Sequence, residues 1–373
     1  NPARAASVLL VDYSCALKLS TPLAVLAAMK EGVGRGVLVK GGRFLESLAA
    51  ADAVVFDKTG TLTESRPRVA EVIPGEGYER DDILRTAACL EEHFPHPVAR
   101  AVVRKAEQEG LHHQEEHTEV EYVVAHGIAS RLHGKRVLFG SRHYIHHDEG
   151  VPVDGMREAI ERLAREGRSI LYLAVDGKLA GLIAIEDPLR PEAAPVIRKL
   201  LGRGIRVVML TGDDERTAAA VAERLGISEY RSQVLPTDKA EVIRSLQAEG
   251  HTVAMLGDGI NDSPALSAAD VGVTLSDGAD LAREVADVVL TECRLDGLVT
   301  AVDLSKAAMR RIRTDFGLIM TLNTVFLASG LAGFLQPGPS ALLHNLTTVG
   351  VSLNAMRPML KAGAELQLEE VSA

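Results

Sequence analysis

Apolar and polar positions alternate along this chain in three different ways. From Phe316 to Leu335, FGLIMTLNTVFLASGLAGFL runs 20 residues without a charge. That is long enough to cross a bilayer core of roughly 30 Å at about 1.5 Å per residue. QPGP at 336–339 breaks the run, and 340–360 is mostly apolar again, with His344, Asn345 and Asn354 inside it. The two segments read as a membrane-crossing helical hairpin; a pair of buried core helices is the alternative. KAAMRRIR at 306–313 favours the membrane, because Lys and Arg gather at the cytoplasmic end of a span. Residues 7–29, SVLLVDYSCALKLSTPLAVLAAM, make a weaker third span that holds Asp12 and Lys18. Polar groups at membrane depth are costly and usually functional. Pro22 is expected to interrupt this helix and free backbone carbonyls. Lys30, Arg35, Lys40 and Arg43 follow it, so both flanking spans turn the intervening region toward the cytoplasm.

That region changes pattern. After Asp187, β-rich runs alternate with amphipathic helical stretches: IRVVMLTGD (205–213), TVAMLGDG (252–259), ADVGVTL (269–275) and ADVVLT (286–291), separated by helices at 191–201, 215–225 and 238–248. This βαβ rhythm predicts a doubly wound parallel sheet, whose reactive groups gather at the carboxyl ends of strands. Residues 66–186 interrupt the rhythm and read as an inserted α+β domain. The expected organisation is a membrane helix with its extension at 1–43, a split α/β domain at 44–65 and 187–300, the insert at 66–186, and a membrane hairpin with tail at 301–373.

Composition narrows the class. Aromatics are 3 % and Trp is absent, so the core must be Val, Leu, Ile and Ala, which suits buried parallel sheet. A net charge of −10 argues against a nucleic-acid surface. Cys15, Cys89 and Cys293 lie far apart, which fits a reducing compartment. The chain begins Asn1-Pro2 without an initiator Met or charged leader, and reads as part of a longer protein.

The chemistry concentrates at predicted strand ends. VVFDKTGTLTES (54–65) ends a buried strand on Asp57, beside a lysine, hydroxyls and a glycine. A carboxylate so placed can bind Mg²⁺, attack phosphorus, or do both. Phosphoryl transfer needs a nucleophile, Mg²⁺ and fixed positive charge around the moving oxygens. Asp57 can be the nucleophile, with Asp258 sharing Mg²⁺. Lys239 can neutralise the phosphoryl group, Thr211 and Gly212 can donate hydrogen bonds to it, and Asn261 and Asp262 can complete the shell. Thr59 stands where soluble hydrolases of this chemistry carry a second aspartate as general acid/base. Without that base, water attacks the acyl phosphate slowly, so the phosphoenzyme should persist.

DKTGTLT (57–63), TGDD (211–214), PTDK (236–239) and GDGINDSPAL (257–266) together resemble the P-type cation-transporting ATPases. The resemblance covers nearly the whole chain as the C-terminal portion of such a pump. It implies a haloacid-dehalogenase-like phosphorylation domain split by a nucleotide-binding domain, with Asp57 phosphorylated by ATP and Mg²⁺ held by Asp57, Thr59 and Asp258. It also places Gly212, Asp213 and Asn261 around the bound nucleotide. The small insert resembles the heavy-metal class: HPVARAV (96–102) matches its nucleotide motif, so His96 and Pro97 are expected near the adenine, with Gly127 and Gly140 as matching glycines. Pro95 replaces a usual glutamate and Ala125 a usual glycine.

In the first span the class's Cys-Pro-Cys falls on Tyr13-Ser14-Cys15. Cys15 and His344 are therefore expected ligands of the transported ion, with Asn323, Asn345, Thr347 and Asp12 as further candidates and Lys18 as an alternative built-in cation. One thiolate with imidazole and oxygen suits Zn²⁺, Co²⁺, Cd²⁺ or Mn²⁺ better than Cu⁺. The resemblance implies a monomeric, multi-pass membrane protein in contact with lipid, its soluble domains cytoplasmic. No TGE loop occurs in these residues, so the actuator domain of such pumps lies outside them. A soluble phosphatase of the same fold and a non-catalytic membrane regulator are the competing readings.

Overall fold

The computed structural model describes residues 5–6, 9–64, 66–92, 97–111, 117–123, 127–257 and 262–360, with the side chains of 117–123 undescribed. The chain forms two compact units. One comprises the chain up to Ala53, Arg244–Met255 and Leu266 onward; the other is Val54–Ile243 with Leu256–Ala265.

The first unit begins with helix α1 (Tyr13–Val33), strand β1 (Val37–Val39) and helix α2 (Gly42–Ala50). Pro22 lies inside α1 and does not interrupt it. A proline's fixed φ is compatible with a helix, and only the carbonyl four residues back, Lys18, loses its donor. In the same unit β1 pairs antiparallel with β13 (Val288–Leu290), which pairs parallel with β12 (Val271–Leu275). Two long helices follow, α11 (Asp296–Ala332) and α12 (Pro337–Ala355), packed against each other and against α1.

Helix α11 runs unbroken for 37 residues, through the charged stretch and into the apolar one. It ends on Gly333 at φ 85°, a left-handed conformation that glycine adopts without strain. The expected break is present at 333–336, and the prolines of QPGP open the second helix, in the first turn of α12, where a missing N–H costs nothing. The second apolar helix is thus shifted to 337–355 from the expected 340–360. Among the described helices, α11 alone combines the length and apolarity needed to cross a membrane.

The second unit holds two strand systems. Strand β2 (Ala53–Asp57), whose residues Val54, Val55 and Phe56 are fully buried, neighbours β9 (Arg206–Leu210), and β9 pairs parallel with β10 (Glu229–Arg231). Helices α6 (Ala193–Leu201) and α7 (Glu215–Leu225) accompany them. Asp214 caps α7 by accepting from the N–H groups of Arg216 and Thr217, and Gly226 closes it at φ 73°.

Residues 68–186 build a six-stranded antiparallel sheet, ordered β3 (Arg68–Pro74), β8 (Lys178–Glu186), β7 (Ser169–Val175), β6 (Lys135–Gly140), β5 (Gly127–Leu132) and β4 (His117–Val123). Period-two alternation assigns its faces. Leu171 and Leu173 of β7 pack with helices α3 (Arg80–Glu91) and α4 (Pro97–Gln108). Ile170, Tyr172 and Ala174 turn to the other face, with helix α5 (Arg157–Arg165).

Candidate active site

Strand β2 delivers Asp57 at its carboxyl end, only 5 % exposed. The chain then makes a wide turn, Lys58–Leu62, in which Gly60 sits at φ 79° and excuses the loop from the strain a side chain would meet there. Thr63 accepts the Gly60 N–H at 2.8 Å and donates to Asp187. The buried guanidinium of Arg190 ties the loop down, giving one hydrogen bond to the Thr63 carbonyl at 3.0 Å and one to the Gly60 carbonyl at 3.2 Å.

Helix α8 (Lys239–Ala248) opens with Lys239, whose ammonium lies 2.6 Å from Asp57 Oδ1 and 2.6 Å from Asp262 Oδ1. All three side chains are nearly fully buried. Burial alone would lower the lysine's pKa; the Asp57 and Asp262 carboxylates outweigh it and raise the pKa, so Lys239 stays charged. Asp262 reaches this position because Gly257 has no side chain: a Cβ there would meet the Asp262 side chain at 2.8 Å. Two carboxylates share one ammonium, which leaves the cluster an excess negative charge and an oxygen-donor set suited to a hard cation.

A second cluster lies in the same unit. Lys58, buried, pairs with Asp213, whose other oxygen accepts from Ser169 Oγ at 2.6 Å. Thr211 Oγ1 donates to Asp213 at 2.9 Å and accepts its N–H at 3.1 Å, so the hydroxyl expected to face a phosphoryl group is engaged within its own loop. Burial opposes both charges of the Lys58–Asp213 pair, but their mutual attraction wins, holding the lysine pKa up and the aspartate pKa down. Asp258 and Asn261 lie outside the described residues, and so does His96.

In the insert, Pro97 is exposed at the first position of α4. Gly127 and Gly140 face each other directly across β5 and β6. A Cβ at Gly127 would come within 2.5 Å of the Phe139 carbonyl and of the Tyr144 ring, so the space a side chain would take is already filled. Sequence reasoning passed over Glu91, at the end of α3, whose carboxyl is pushed up to about 7 by burial. It also passed over Arg190 and Ser169. Arg190 could have been suspected from EDPLRPEA, where a cation follows directly on the return from the insert; Ser169 carries no local signal.

Between α1, α11 and α12 the expected ion ligands have separate partners. Cys15 Sγ lies 3.0 Å from Asp12 Oδ2, while His344 Nδ1 lies 3.3 Å from Asn323 Oδ1. The Asn323 amide donates to the Asp12 carbonyl at 3.3 Å. Cys15 is exposed and His344 buried. Among the described residues no group of three or more His, Cys, Asp or Glu side chains is arranged to hold a metal.

A family profile, haloacid dehalogenase-like hydrolase, matches residues 51–270. A zinc-exporting P-type ATPase of Mycobacterium marinum (strain ATCC BAA-535 / M) is 43 % identical over 357 residues, covering 95 % of this chain and 49 % of that protein. A manganese-exporting P-type ATPase of Mycobacterium bovis (strain ATCC BAA-935 / AF2122/97) is 42 % identical over 357 residues, covering 95 % and 50 %. The crystal structure of a zinc-transporting PIB-type ATPase in its E2.Pi state superposes with a TM-score of 0.68 at 36 % identity, covering 93 % of this chain and 56 % of that one. The chain therefore spans about half the length of the curated relatives it matches.

Proposed function

Because the chain belongs to the haloacid dehalogenase-like hydrolases, in the heavy-metal branch of the P-type ATPases, we propose that it carries the catalytic and part of the membrane machinery of an ATP-driven metal exporter. The observation that carries this reading is the buried bridge Asp57–Lys239–Asp262, formed by residues far apart in sequence and joined at one strand end.

Asp57 attacks the terminal phosphorus of ATP. The bond from phosphorus to the departing ADP oxygen breaks as the bond to the Asp57 carboxylate oxygen forms. Lys239 balances the charge accumulating on the transferred oxygens and keeps Asp57 oriented. Asp57, the Thr59 segment and Asp258 would hold Mg²⁺, for which the excess negative charge of the cluster is suited; bound there, the ion neutralises phosphate oxygens. Asp262 fixes the other side of Lys239. Arg190 and Gly60 hold the loop so that Asp57 stays at the strand end. Thr59 supplies no base for water, so the acyl phosphate lives long enough to act as a conformational state.

The insert binds the nucleotide, with His96, Pro97 and the Gly127–Gly140 pair near the base. Gly212, Asp213 and Asn261 line the phosphate side, and Thr211 joins them when its loop releases the hydroxyl. Glu91, whose pKa burial raises to about 7, is protonated in about half of the molecules near neutral pH and adds a hydrogen-bonding carboxyl at the end of α3. The cargo is a divalent transition-metal ion, Zn²⁺, Co²⁺, Cd²⁺ or Mn²⁺, met by Cys15 and His344 in a multi-pass cell-membrane protein, lipid-facing and monomeric, with its soluble domains cytoplasmic.

The test is incubation of the purified chain with Mg²⁺ and ATP carrying radioactive phosphorus at the γ position. An acid-stable, hydroxylamine-labile phosphate is expected, and it should vanish in Asp57→Asn. Label that resists hydroxylamine, or that survives in the variant, removes the proposal.

A further inference from the structure

The three-helix interface of the first unit is layered. In the antiparallel pair α11–α12, Asn323 faces His344, Ile319 packs with Val351, and Asp315 faces Asn354. Helix α1 adds the Asp12 carbonyl to the Asn323–His344 layer and Ala16 to the Ile319–Val351 layer. A dry plug of Ala16, Ile319 and Val351, each at most 2 % exposed, therefore separates two polar layers. Asn323 stands eight positions after Asp315, about 12 Å along a helix.

Asp315 is the unexplained member. It is 2 % exposed. Its Oδ1 accepts from the Asn354 amide at 2.7 Å, while Oδ2 has no hydrogen-bond partner among the described residues. The neighbouring cation does not serve it: Arg311, one turn earlier, donates to the carbonyls of Asn354 and Pro358. A buried carboxylate with an idle oxygen is costly, and such a group points to a missing proton, water or ion.

We propose that Asp315 and Asn354 form a second cation-binding layer, lying on the Lys306–Arg313 side of the apolar plug. It takes a hard divalent cation, with Mn²⁺ favoured over Cu⁺ because carboxylate and amide oxygens suit hard ions; the Asn354 amide, which donates its N–H to Asp315 in the unloaded layer, turns over to present Oδ1 to the ion. One carboxylate and one amide make a weak site, fitted to an ion in passage. The plug isolates that ion from the Asn323–His344 layer until the helices move. The layer's place on the ion's route rests on the export reading above; its capacity to bind does not.

The experiment counts Mn²⁺ bound to the whole 373-residue chain in lipid nanodiscs, from the free-ion electron paramagnetic resonance signal. Asp315→Asn, nearly isosteric, is expected to hold one ion fewer than the parent, and His344→Ala to retain that ion. Asn354→Asp places a second carboxylate in the layer. Without metal its thermal stability should fall through like-charge repulsion; with Mn²⁺ the stability should return, and the added ion should bind about tenfold tighter. An unchanged ion count in Asp315→Asn overturns the proposal. If that variant does not fold, failure of Mn²⁺ to rescue Asn354→Asp overturns it. Acyl-phosphate labelling, read in parallel, distinguishes the two hypotheses: loss of label with the ion count intact sinks the pump and leaves the layer, and the converse sinks the layer alone.

Discussion

Asp57 and Asp315 are both buried carboxylates, 5 % and 2 % exposed, yet their surroundings differ in kind. Asp57 meets an ammonium at 2.6 Å, and that ammonium meets a second carboxylate at the same distance. Asp315 meets one neutral amide and keeps an oxygen idle. The first arrangement is assembled before any ligand arrives; the second is complete only when something else binds. A preorganised charge cluster suits chemistry, because its dipoles are already aimed. An undersatisfied carboxylate suits transit, because a partner that binds too well does not leave.

The contrast can be broken in several ways. The largest effect is expected from Asp57→Asn, in which phosphoenzyme falls to background, since an amide is a poor nucleophile; quantitative label incorporation measures it. Lys239→Ala comes next. It strands two carboxylates in a dry site, so stability should drop by about 3–5 kcal/mol, read by chemical denaturation, together with loss of labelling. Thr59→Asp restores a base beside the acyl phosphate and should speed its hydrolysis roughly 10²-fold in a chase with unlabelled ATP.

Glu91 is an intermediate case, a carboxyl whose folded pKa stands at about 7 through burial. A group raised in the folded state binds protons more tightly there than in the unfolded chain. Its stabilising contribution is therefore complete below its ordinary range and lost as pH rises through about 7. Thermal stability should decline by about 1–2 kcal/mol between pH 5 and 8, and Glu91→Gln should flatten that slope. The smallest change is expected for Asp315→Asn without metal. An amide replaces a carboxylate that made one hydrogen bond, so stability should stay within about 1 kcal/mol of the parent. A large loss there would mean that Asp315 is as firmly partnered as Asp57, and the contrast would fail.

Much of this was readable before any coordinates. Apolar runs ending on Asp57, on Thr211 and on Gly257 announced strands whose carboxyl ends carry chemistry, because strand period and turn chemistry are local properties. The helix at 215–225 was equally plain, since its cap Asp214 and its terminal Gly226 are written beside it. QPGP did mark the break between the two long helices, whereas Pro22 misled, because whether a proline interrupts a helix depends on packing that no short window contains. Ser169 and Arg190 gave little warning, for each acts on a loop distant in sequence: Ser169 on Asp213, Arg190 on Gly60 and Thr63.

By itself the sequence determined which groups could react: a strand-end carboxylate, a helix-initial lysine, and a glycine that alone tolerates φ 79°. Only the tertiary structure decided how charge is shared among them. It gave Lys239 two carboxylates, drew Lys58 to Asp213, and left Asp315 an oxygen to spare. The reason is physical: propensity and periodicity act over a few residues, whereas electrostatic balance in a buried site is struck between side chains that meet only after the chain has folded.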